Sequence, residues 1–170
     1  MGSIAFHSPL FQINPAPAPG SSVSLAFVPG ALLTGGLNLP VEISTASIFL
    51  NSSPEKKAES AIVFAHFDTG ASSTSIDINL AKSMRLDSPG TQFIQTAAGP
   101  QEMPVFFVNI GFPNSNLMPF ADLKVSSCRL NYNSDASASP RNFGILLGRD
   151  IMSRWNIVWN GPSSTVFIND

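Results

Sequence analysis

Apolar residues along this chain gather in short runs separated by turn formers, some continuous and some alternating with polar positions. Such alternation is the signature of half-buried strands. Residues 23–27 predict one short strand, ended by Pro29-Gly30. From Leu39 the pattern is continuous, with strands predicted over 41–50 and 61–67 and a charged, exposed connection over 51–60. The first helical spacing starts at Asp77, where Ile78, Leu80, Ala81 and Met84 fall near one face; Ser75 or Asp77 can cap it. Segments 91–96 and 103–110 alternate around the small-residue tip 97–100 and predict a β-hairpin. A strand over 120–129, a polar loop over 131–141 and a buried strand over 143–147 follow. Gly148 begins a short helix reaching Arg154, with Asp150 and Arg154 at the ends that suit the helix dipole. Strands over 155–159 and 164–168 close the chain around Asn160-Gly161-Pro162. The class is mainly β, with one or two short helices.

Composition narrows the function classes. A chain of 170 residues with 44% hydrophobic and 12% charged residues buries a core and is not disordered over most of its length. Nine basic against eleven acidic residues leave no electrostatic footprint for nucleic acid. One cysteine, Cys128, cannot build a disulfide framework, and two histidines, His7 and His66, are too few for a zinc site. No metal and no cofactor are therefore expected, and His66 reads as an exposed strand residue. Residues 1–38 differ from the rest: Asn14 to Gly20 alternate proline with small residues, as in a semi-rigid polyproline segment. The chain divides into this extension and a domain over 39–170. Residues 23–37 are apolar but interrupted by Pro29, Gly30, Gly35 and Gly36, and fall short of the ~18 to 20 residues a membrane span needs. No basic leader precedes them, so a soluble, cytoplasmic protein without a membrane span is expected. Asn51-Ser52-Ser53 is formally a glycosylation sequon, of consequence only in a secreted protein.

Chemistry concentrates in Asp68-Thr69-Gly70-Ala71, which follows the apolar run 61–67 and opens into Ser72-Ser73-Thr74-Ser75. A carboxylate delivered by a strand into a tight turn is an acid/base group on a rigid support. Further on, Leu146-Leu147-Gly148 runs into Arg149-Asp150-Ile151. In this order, with the helix around Leu80-Ala81 and the small residues Ala97-Ala98-Gly99 between them, these motifs resemble the retropepsin-like aspartic proteases, the single-lobe relatives of pepsin. The resemblance covers 39–170 and implies a closed β-barrel, the half-fold of the acid proteases. It implies that Gly148 lets a strand approach the active-site loop, with Leu146 and Leu147 packed beneath. Gly70 would offer backbone N–H groups to the carboxylate, and Thr69 would be buried and bond to the other half of the site.

Peptide hydrolysis by this route needs two carboxylates a few Å apart, one protonated and one ionised, and aspartic proteases are the known example. One Asp-Thr-Gly per chain implies an obligate homodimer with Asp68 from each protomer on a two-fold axis. Strand 165–168 is one candidate for pairing across that axis, with the interface strands left open by the sequence. Asp68, Thr69 and Gly70 would form the catalytic loop. Ala71, Ser72 and the flap residues Ala97, Ala98 and Gly99 would contact an extended peptide substrate, hydrophobic at the cut bond. The chain departs from the family pattern at Ser72, where several members carry an acid that pairs with the arginine after the final glycine. Arg149 therefore needs another partner, with Asp77 and Asp150 as candidates. Ala71 in place of serine removes a hydroxyl from the carboxylate, which favours activity at mildly rather than strongly acidic pH. The extension is a pro-segment, an added strand or a linker. The alternative function is a catalytically silent retropepsin fold that dimerises or binds peptides.

Overall fold

The computed structural model describes residues 11–15, 22–27, 32, 35–50, 59–96, 99–113, 115–136 and 142–170. Eleven strands occur among them, in two sheets. Strands β1 (Phe11–Pro15), β2 (Ser22–Phe27), β10 (Asn156–Asn160) and β11 (Thr165–Asn169) form a four-stranded sheet ordered β1-β2-β11-β10. The second sheet is ordered β3-β4-β9-β5-β8-β7-β6, from β3 (Asn38–Thr45), β4 (Ser60–Phe67), β5 (Ser75–Asp77), β6 (Gly90–Thr96), β7 (Gly99–Gly111), β8 (Phe120–Cys128) and β9 (Phe143–Leu147). Pairing of β3 with β7 closes six of these strands into a barrel and leaves β6 as an arm carried by β7 alone.

Closure follows from the burial pattern. Val41, Ile43, Val63, Ala65, Ile76, Val108, Ile110, Val125, Ile145 and Leu147 point inward from six different strands into one core. Leu25, Val166 and Ile168 carry the four-stranded sheet into that same core. The aromatic cluster of Phe67, Phe112, Phe120 and Trp155 fills one flank, with ring centroids 5.1 to 6.0 Å apart.

Short α-helices punctuate the strands, among them α1 (Ser47–Leu50), α2 (Ile78–Ser83) and α3 (Arg149–Met152). α1 replaces the second half of the strand expected over 41–50. Thr45 is where the ladder ends: its N–H donates to the Glu59 carbonyl at 3.0 Å and its Oγ1 accepts from the Glu59 N–H at 3.1 Å. Beyond that clasp the described ladders with β4 and β7 end, and the chain coils. β5 is a strand that alternation could not reveal, since three residues are too few to show a period. Asp77, not Ser75, caps α2, accepting from the N–H groups of Asn79 and Leu80 at 2.7 and 3.3 Å.

The extension contributes β1 and β2, and β2 pairs along the whole of β11. β11 therefore lies between β2 and β10 with both edges used. The candidate pairing of 165–168 across a two-fold axis is corrected by this arrangement. No described helix is long and apolar enough to cross a membrane.

Candidate active site

β9 lies between β4 and β5, parallel to the first and antiparallel to the second. Leaving β4, the chain must pass around the C-terminal end of β9 to return as β5, and the passage is the loop 68–74. This is a ψ-shaped crossing, and Asp68 is its first residue. The Asp68 N–H continues the β4 ladder by donating to the Leu147 carbonyl at 3.0 Å. The carboxylate is thus fixed in height by the strand beneath it.

Gly148 explains how the loop fits. A β-carbon there would come within 2.4 Å of the Ser73 carbonyl carbon and 2.8 Å of the Thr74 nitrogen. Its φ of −91° is open to any residue, so the constraint is space alone. Gly70 lets the turn close and aims its N–H at Asp68 Oδ1, at 2.8 Å. The Ala71 N–H donates to the Asp68 carbonyl at 3.1 Å and completes the turn. Asp68 is half-buried, while Thr69 and Gly70 are exposed.

Thr74, to which sequence reasoning gave no role, and Asp150, read there as a helix-dipole residue and a candidate partner of Arg149, hold the loop from behind. The fully buried Thr74 donates its N–H to Asp150 Oδ2 at 2.9 Å and its hydroxyl to Asp150 Oδ1 at 2.8 Å. The same hydroxyl accepts from the Gly148 N–H at 3.1 Å. Asp150 also accepts from the Ile151 N–H, so one carboxylate locks the end of the loop onto α3. These partners are 76 residues apart, and no local pattern announces them.

Arg149 reaches the other end of the loop. Its guanidinium donates to the carbonyls of Thr69 at 2.6 Å and Gly70 at 3.2 Å, and its own N–H donates to the Ala71 carbonyl at 3.0 Å. Neither candidate acid is its partner. Asp150 serves Thr74, and Asp77 serves α2 and the Leu130 N–H at 2.6 Å. Arg149 is held by backbone carbonyls of the loop instead, and Ser72 is exposed.

The other expected residues divide. Leu147 is wholly buried under the loop, whereas Leu146 faces the opposite side of β9 and is only half-buried, as strand alternation requires. Thr69, expected to be buried, lies open in the single chain. Gly99, with φ +100°, starts β7 in the expected hairpin, and the Thr96 hydroxyl donates to its carbonyl at 2.8 Å. Ala97 and Ala98 lie outside the described residues, as does the Asn51 sequon.

His66 is neither exposed nor idle. Asn38 Nδ2 donates to the Gly35 carbonyl, which turns Asn38 Oδ1 toward His66 Nδ1 at 2.7 Å. Phe143 stacks on the ring at 4.8 Å, and a β-carbon at Gly36 would strike it at 2.7 Å. Burial lowers the His66 pKa, and the negative charge of Asp68 nearby works against that shift.

Among the described residues, no group of three or more His, Cys, Asp or Glu side chains gathers as a metal site would require. Set against protein-family models, curated proteins and solved structures, the chain matches none.

Proposed function

We propose that two copies of this chain make one aspartic peptidase, with an Asp68 from each copy facing the other across a two-fold axis. The observation that carries this reading is the Asp68 loop itself. A partly open carboxylate is set at the end of a barrel strand, fixed by the Gly70 N–H and braced from behind by Arg149, Thr74 and Gly148. That much support for an exposed polar turn is what pre-organised acid/base chemistry needs. The other two acids near the loop's anchors, Asp77 and Asp150, are committed to backbone and hydroxyl donors. A second reactive carboxylate therefore comes from a second chain.

In the reaction, the ionised Asp68 removes a proton from a water molecule, and the water oxygen attacks the scissile carbonyl carbon. The protonated Asp68 of the partner subunit gives its proton to the carbonyl oxygen. Collapse of the tetrahedral intermediate breaks the C–N bond, and a proton passes from the dyad to the leaving amine. No covalent enzyme intermediate forms. The β6–β7 hairpin, an arm outside the closed barrel, acts as the flap over an extended peptide.

Wild-type protein and Asp68→Asn should be compared on a broad peptide mixture between about pH 4 and 7, with products read by mass spectrometry. Cleavage is expected from wild type, with a loss of at least about a thousandfold in the variant, the scale on which removing a catalytic group acts. Equal cleavage by both proteins would refute the reading. Silence from both, at concentrations where a dimer sediments, would leave a peptide-binding module.

A further inference from the structure

β10 ends its sheet: β11 pairs along one edge, and among the described residues nothing pairs along the other. Open edges are normally blunted by charge, proline or a bulge. Asn156-Ile157-Val158-Trp159-Asn160 has no charge and no proline, and its register with β11 is unbroken. It also reads nearly the same in both directions about Val158. On one face Val158 lies beside Phe167; on the other, Ile157 and Trp159 lie beside Ile168 and Val166. Val158 and Phe167 on the first face are 49 and 43% exposed, and Trp159 on the second is 51% exposed, so apolar side chains lie uncovered on both faces at the end of the sheet.

We propose that this edge is completed by a second copy of the chain, paired antiparallel along β10 with the two-fold axis passing beside Val158. In that register Val158 opposes Val158 of the partner subunit. Asn156 opposes Asn160 of the partner subunit, and Ile157 opposes Trp159 of the partner subunit. The outer row becomes Phe167-Val158-Val158-Phe167 across four adjacent strands, and each Trp159 covers an isoleucine. Two four-stranded sheets become one of eight strands. The proposal rests on the reading that the site needs two copies of Asp68. α3, whose Arg149 clamps the Asp68 loop, leads into β10 within a few residues, so one short segment ties the edge to the carboxylate.

The other open edges fit a twin less well. β1 ends in Pro15, which has no N–H to give. β6 contains the palindrome Thr91-Gln92-Phe93-Ile94-Gln95-Thr96, centred between two residues. A two-fold axis normal to a sheet keeps each side chain on its own face. Pairing Phe93 with Ile94 of the partner subunit would set opposite faces against each other, because neighbouring residues alternate. Only a palindrome centred on a residue, as in β10, is usable.

The test uses the chain with its native Cys128, whose thiol stays out of the reaction because its pKa is pushed up to about 12, first by burial and then by Asp77. Directly opposed residues in antiparallel strands have Cα atoms about 4.5 to 5.5 Å apart, within disulfide reach. Val158→Cys should form an intersubunit disulfide under mild oxidation at least about tenfold faster than Phe93→Cys, whose site is 77% exposed. Val158→Lys sets like charges directly opposite one another and should raise the dimer Kd at least about tenfold in sedimentation. Equal cross-linking at both cysteines, or a dimer indifferent to Val158→Lys, would overturn the interface. A cross-linked dimer without Asp68-dependent cleavage would keep the interface and remove the peptidase. Asp68-dependent cleavage unaffected by Val158→Lys would do the reverse.

Discussion

Asn38 decides which nitrogen of His66 carries the proton. Its amide oxygen can only accept, so Nδ1 is protonated and Nε2 is the basic site. The ring packs between Gly36 and Phe143, where its charged form is poorly solvated, and the pKa falls below the ordinary 6.5. The folded protein thus binds this proton less well than the unfolded chain does. The contribution to stability is whole above pH about 6.5 and is lost as pH falls toward the lowered value. His66→Gln keeps a donor for Asn38 and removes the titration. The drop in Tm from pH 7 to about pH 5 should be smaller in the variant than in wild type; equal drops would show that the histidine does not couple to folding. Sequence gave no hint of this environment, because Asn38 lies 28 residues upstream.

Among the elements, the crossing of β4, β9 and β5 has the least freedom. Gly148 sits against backbone, not against the tip of a movable side chain, so a methyl group there forces the loop away from β9. Gly148→Ala should cost about 2 to 3 kcal/mol in urea unfolding, the upper range for overpacking, and should displace Asp68 enough to suppress cleavage. An unchanged urea midpoint would mean that the loop yields cheaply. The glycine was legible because a strand running into a helix through Gly148 is a local signal. Thr74 and Asp150 were not, because their bond joins segments that only the ψ crossing brings together. The helix cap was half-legible: both Ser75 and Asp77 have the right chemistry. Pairing decided between them, since Ser75 is drawn into β5, where its hydroxyl bonds to that of Ser126 at 2.9 Å.

For the molecule as a whole, the extension is built into the fold. Leu25 in β2 is fully buried beside Val166, and β2 shields one edge of β11. Leu25→Ala should cost about 2 to 5 kcal/mol, as a buried leucine does. A chain begun after residue 27 should show no cooperative melt by circular dichroism, since it would expose Val166, Ile168 and an unpaired strand together. A truncated chain that melts cooperatively near the wild-type Tm would show instead that the extension is dispensable, as a removable pro-segment would be.

Alternation and turn chemistry by themselves determined most strands, the hairpin arm, the short helices near 80 and 150, and the loop that presents Asp68. Each of those depends on neighbours a few residues away, and period and capping report such neighbours directly. Tertiary structure alone decided the closure of β3 on β7, the insertion of β5 beside β9, and the use of β2 to occupy β11. It also decided that Arg149 takes backbone carbonyls and that Thr74 takes Asp150. All of these join segments distant in the chain, where register, space and the need to satisfy buried donors choose the partner, and no local pattern records that choice.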